Sequence, residues 1–188
     1  MTAADTHEAD SQPDEPTARM LTWARNSTLY RLSRQMLTEK QLSDAIRRKA
    51  KEKFDPIAAP TLQALADYAV AFAYEQNALD DKNYASVSTR SGVRNGKSRR
   101  MIAQKLATKG VAAETVETAM VETNDLVAAV IFARKRRFGP YRTVELDDKR
   151  KLKELSAFAR NGFSFEIGKK VFDMDHDEAN DVLFNTPT

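Results

Sequence analysis

The chain has 188 residues, 41% of them apolar, and a net charge of +3, so it holds enough hydrophobic material for one ordinary domain or several very small ones. It has no cysteine, which excludes disulfides and thiolate metal sites and agrees with a reducing cytosol. No uncharged apolar run approaches membrane-spanning length, and the first residues carry acids in place of a basic start and an apolar stretch, so a soluble cytoplasmic protein without membrane contact is expected.

Met1 to Met20 holds five acids (Asp5, Glu8, Asp10, Asp14, Glu15) against the single base Arg19, with Pro13 and Pro16 and almost nothing apolar. Such a segment cannot bury enough surface to order itself, and residues 1–22 are expected to form a disordered acidic arm. Without Met1 to Met20 the chain carries 29 bases and 22 acids, a net of +7, so the body is more basic than the whole.

A first helix is expected from near Ser27, with Leu29, Leu32 and Met36 on one stripe after Trp23. Thr38 opens a second, since Thr38-x-x-Gln41 has the capping-box pattern and Leu42, Ile46 and Ala50 share a face. Asp55-Pro56 breaks that pattern, and Pro60 suits the start of a third helix carrying Leu62, Leu65, Ala69, Phe72 and Ala73. Leu79-Asp80-Asp81 begins a new group, with an aspartate as N-cap and Tyr84 and Val87 turned inward. Gly92 and Gly96 bracket a turn before a helix from about Ser98 to Lys109, and Val116, Ala119 and Met120 mark the next. Leu126, Val127, Val130 and Ile131 begin a last group, followed by a loop at Gly139-Pro140, a helix from about Asp147 to Asn161, and another from near Ser164. No stretch alternates strongly enough for a sheet.

A helical unit recurs through this series, with its best copy at Gly96 to Val111: Ile102 and Leu106 share a face, Gly110 stops the helix and Val111 re-enters the core. Phe158, Gly162 and Phe163 repeat that grammar downstream, and Ile46, Ala50 and Phe54 hold equivalent places upstream. The expected fold is therefore all-α, three tandem three-helix repeats in an elongated, curved arrangement, with repeats over 23–78, 79–123 and 124–175 and a C-terminal tail over 176–188.

From Thr89 to Ala113 there are seven bases (Arg90, Arg94, Lys97, Arg99, Arg100, Lys105, Lys109) and no acid. Charge runs are usually solvated faces, but one sign sustained over this length points to an anionic partner, phosphate or acidic protein. Arg134, Lys135, Arg136 and Arg137 form a second cluster and Lys149 to Lys153 a third; few aromatics interleave, which argues against stacking on single-stranded bases. Gly92 to Ser98 looks at first like a phosphate-binding loop. It is one residue short and has helices on both sides, where that loop needs a preceding strand, although a basic helix start can still favour an anion. His7 falls in the arm, and Met174 to Glu178 is a charged C-terminal fray rather than a metal site; Asp80 and Asp81 suit capping better than catalysis. No catalytic constellation, cofactor motif or metal site emerges, so the chain is not expected to be an enzyme.

Leu79-Asp80-Asp81-Lys82-Asn83-Tyr84-Ala85, Gly96 to Ile102, Leu106 with Lys109-Gly110-Val111, Arg134 to Gly139, and Phe158 to Ser164 resemble, in order and approximate spacing, the RecX regulatory proteins. The resemblance covers about Ser27 to Phe172. It departs at Asn77-Ala78, where the family often has Gly-Tyr, and in the weak patterning of the first repeat. It implies tandem three-helix repeats and a protein without a cofactor that binds RecA-type recombinase filaments and modulates, mostly by inhibition, their recombinase, ATPase and coprotease activities; a monomer is expected. That places it in homologous recombination, DNA repair and the SOS response. A basic helical array could meet both acidic protein surface and DNA phosphate. Two other classes compete with this reading: a helical protein that binds DNA directly through phosphates, and a plain helical scaffold.

Overall fold

The computed structural model describes residues 15–121 and 123–185. Ten α-helices and one short 3-10 turn account for all regular structure among them, with no strand. They divide into two compact units, the first ending at Asp80 and the second running from Asp81.

The first unit contains α1 (Ala18–Leu32), α2 (Glu39–Lys53) and α3 (Ala59–Glu75). Helix α2 starts as its sequence dictates: the Thr38 hydroxyl accepts the Gln41 backbone N–H, and the Gln41 side chain accepts that of Thr38. Its Leu42, Ile46 and Ala50 are fully buried against Leu65, Ala69 and Ala73 of α3, so alternating large and small residues let the two helices approach closely. Helix α1 departs from expectation. It begins nine residues before Ser27, because Thr17 caps it by accepting the Met20 N–H at 3.3 Å, so 18–22 are helical rather than part of the arm. Its buried positions are the small Ala24 and Thr28, while Leu29 and Met36, assigned to the inward stripe, are exposed. The remainder of the proposed arm, residues 1–14 with His7, lies outside the described residues.

The second unit contains α4 (Asp81–Arg94), α5 (Arg99–Thr108), α6 (Ala113–Met120), α7 (Asp125–Arg136), α8 (Asp148–Arg160), α9 (Phe165–Asp173) and α10 (His176–Phe184). The second and third predicted repeats thus share one compact body. Helix α7 is its axis, with every residue from Val127 to Ala133 buried. Its Phe132 packs with Phe138, Phe158 and Phe163, neighbouring ring centroids lying 5.3–6.4 Å apart, mostly edge to face. On the other side of the unit Ala85, Ile102, Leu106, Val111 and Met120 form a smaller core. Val93 touches both.

The recurring stop is a backbone device. At Gly96, Gly110, Arg137 and Gly162 φ is positive, and the next residue's N–H reaches back five positions: Lys97 to Gly92, Val111 to Leu106, Phe138 to Ala133 and Phe163 to Phe158. At the last three sites the residue after the stop is apolar and buried, which is how each helix end is fastened to the core. Val87, expected to face inward, is exposed, and Tyr84 only half-buried, because Ala85 and Thr89 form the inner face of α4. The expected C-terminal fray is also wrong: Asp175 and Glu178 make a capping box for α10, whose Ala179 is buried.

Candidate anion-binding face

All eleven bases singled out in the sequence, from Arg90 to Lys109 and from Arg134 to Arg137, lie in the second unit; Lys109 is half-buried and the rest are exposed. Arg90 and Arg94 stand on the last turns of α4, Lys97 in the turn, and Arg99, Arg100 and Lys105 on α5. The turn itself is pressed onto α7. A Cβ on Gly96 would lie 2.8 Å from the Phe132 backbone nitrogen, so only glycine permits that approach and that φ of +69°.

This closeness brings the two basic clusters together. The Lys135 ammonium donates to the Arg94 carbonyl at 3.3 Å and to Asn95 Oδ1 at 3.1 Å, so a cation from α7 caps the C-terminal end of α4. Lys135 is therefore partly structural. Arg136 leans over the Phe132 ring at 5.9 Å, and Arg137 holds the left-handed stop of α7 at φ 56°. Arg134 lies near Tyr141: burial pushes the phenol up, and the Arg134 charge opposes the shift.

The start of α5 already has its anion. Ser98 is fully buried, accepts the Met101 N–H and donates to the Asn161 carbonyl at 2.6 Å, while the Asp125 carboxylate accepts the Arg99 N–H at 2.6 Å. Gly162 is pressed onto the same corner, where a Cβ would stand 2.6 Å from Ser98 Oγ. The segment Gly92 to Ser98 is thus a helix end, a turn and a helix cap rather than a phosphate loop, and the helix-start anion site is filled from within.

Between α4 and α5 lies an open cleft whose floor is Gly92, Ile102 and Leu106. Lys97 and Lys105 stand at its rim with Ser88, Ser91 and Asn95. The two serines and Asn95 escaped the charge-based reading, although spacings of three and four residues place them on one face of α4.

The third cluster is not all surface. Glu154 is fully buried and accepts the Gly139 N–H at 2.9 Å, Arg142 Nε and Nη2 at 3.0 and 2.7 Å, and Arg150 Nε at 2.9 Å. Burial raises its pKa, but the hydrogen bond from Arg142, that from Gly139 and that from Arg150 outweigh it and hold the carboxyl below its ordinary range. Arg150 is therefore committed inside, while Lys149, Lys151 and Lys153 remain exposed. His176 packs edge-on against Tyr141, and no group of three or more potential metal ligands stands among the described residues.

Residues 80–120, the span of α4 to α6, match the family pattern described as RecX, second three-helix domain. The regulatory protein RecX of Agrobacterium fabrum strain C58 is 63% identical over 96% of this chain and 98% of its own length. The chain belongs to the RecX family. RecX of Myxococcus xanthus is 36% identical over 86% of this chain and 90% of its own. A crystal structure of RecX from Lactobacillus salivarius superposes with a TM-score of 0.64 at 20% identity, covering 87% of this chain and 99% of that one, and a second RecX crystal structure gives 0.64 at 24% identity over 84% and 73%. At those identities the two structures bear on the fold, which is the helical one described above. The RecX relatives carry the name of a regulatory protein. No helix among the described residues is long and apolar enough to cross a membrane.

Proposed function

We propose that this chain binds a RecA-type recombinase filament on DNA, as a cytoplasmic monomer, through the basic face of its second unit, and thereby inhibits the recombinase. The observation that carries the reading is the run of exposed bases on α4, α5 and the end of α7, free of carboxylates from Thr89 to Ala113, in a member of a regulatory family. A filament on DNA offers acidic protein surface and phosphate side by side, and a surface held on rigid helices can meet both without chemistry of its own.

The test is DNA-dependent ATP hydrolysis by the cognate recombinase, with wild type and with Arg99→Glu/Arg100→Glu. Both side chains are exposed, off the buried Ile102/Leu106 seam, so helicity should persist while inhibition falls. Inhibition should also weaken as salt screens exposed charge. If the reversed variant inhibits equally well, the surface is wrong. The same acid-free run supports the second reading, direct phosphate-driven DNA binding, which replaces the first if wild type leaves the recombinase untouched yet binds bare DNA tightly.

A further inference from the structure

The α4–α5 cleft has a chemistry that the basic face alone does not explain. Its rim presents two ammonium groups, Lys97 and Lys105, and two hydroxyls, Ser88 and Ser91, with no carboxylate among the lining residues. None of these four side chains has a hydrogen-bond or ion-pair partner among the described residues, whereas Lys40, Lys49 and Lys169 are each paired with an acid on their own helix. The serines are half-buried, so they face the cleft from its wall. Asn95 completes the rim, and its amide is already fixed, donating to the Ser91 carbonyl and accepting from Lys135, which adds a third cation just behind it.

We propose that this cleft seats one phosphate group of a nucleic-acid backbone, with Lys97 and Lys105 supplying charge and the Ser88 and Ser91 hydroxyls donating to its oxygens. Four convergent donors with no acceptor charge suit a compact tetrahedral anion. The lining has no aromatic ring, so a base has nothing to stack on, and the ligand is held by its phosphate alone. The exposed Arg90, Arg94 and Arg99 continue the positive charge beyond the cleft, as an extended polyanion requires and a single free phosphate does not. This deepens the proposed function and rests on its nucleic-acid contact. It assigns the serines a role that charge counting would miss: they fix where along the backbone the face sits.

Full-length protein is titrated against dye-labelled oligothymidylate by fluorescence anisotropy over a range of salt. Lys97→Gln/Lys105→Gln should flatten the dependence of log Kd on log salt by about one unit, the counterion release of one phosphate contact. Ser88→Ala/Ser91→Ala should weaken binding about tenfold or more, the worth of one hydrogen bond to an anion, while leaving the salt slope unchanged because no charge is removed. Circular dichroism checks that each variant stays helical, and Lys149→Gln/Lys151→Gln serves as an equal loss of charge outside the cleft. A serine variant that binds within about twofold of wild type overturns the seat. So does a lysine variant no weaker than the control. In a parallel arm, inorganic phosphate is titrated while the Ser91 and Lys97 amide resonances are followed; serine-dependent shifts with phosphate but no serine effect on the oligonucleotide would reassign the cleft to free phosphate. Recombinase inhibition separates this proposal from the one it rests on. Cleft-dependent oligonucleotide binding by a chain that leaves the recombinase untouched sinks the inhibitory function and keeps the seat, and intact inhibition with no cleft dependence does the reverse.

Discussion

Glu154 shows how much a single side chain can be asked to hold. It joins the loop after α7, through the Gly139 N–H and Arg142, to the first turn of α8 through Arg150, and it does so with no exposure to water. Removing one partner of such a buried ionic group leaves the others unsatisfied, so Glu154→Gln should lower unfolding free energy by about 3 kcal/mol at neutral pH, measured by urea denaturation. Because the folded carboxyl titrates below its ordinary range, this stabilisation is complete above that range and is lost as pH falls through the lowered value. The gap between wild type and Glu154→Gln should therefore close on acidification; a gap independent of pH would show that the ion pairs contribute nothing. In the sequence Glu154 was one acid among several bases, and nothing local separated it from a surface residue.

Helix starts and stops were legible because their chemistry is local. The capping box at Thr38, the serine cap at Ser164 and the glycine stops at Gly110 and Gly162 all stand where residue type requires them. Helix α1 was misplaced for a physical reason: its inner face is Ala24 and Thr28, and small residues give a weak hydrophobic period, so exposed Leu29 and Met36 dominated the pattern. Its true start has a consequence for truncation. Deleting residues 1–14 should leave stability unchanged, whereas deleting 1–20 removes the Thr17 cap and the half-buried Met20 and should cost roughly 2 kcal/mol. Thermal melts of the two truncations check this, and equal melting temperatures would place the start of α1 later than Thr17.

At the scale of the whole chain, the helices fall into two compact units, and the second holds the helices of the second and third expected repeats. The first has its own core around Leu42, Ile46 and Leu65, and the second joins two clusters through α7 and Val93. A unit with a separate core can fold alone, so a fragment beginning at Asp81 should be helical by circular dichroism and unfold cooperatively in urea. A fragment cut after Met120 should not, because Gly96 and the Ser98 corner would lose α7, Asp125 and Asn161. Cooperative unfolding of that shorter piece would show that α4 to α6 fold without α7.

The sequence by itself determined the helical class, the grammar of helix ends, the seven-base run and the resemblance to RecX proteins, since periodicity, capping and charge sign are properties of neighbouring residues. Only the tertiary structure decided which bases remain available. Lys135, though exposed, reaches across to cap α4 and Arg150 turns inward to satisfy Glu154, while Lys97 and Lys105 are left unpaired beside Ser88 and Ser91. A charge is fixed by its residue type, but its partner is fixed by what the fold carries to within about 3 Å of it, and those partners lie as much as 41 positions away along the chain.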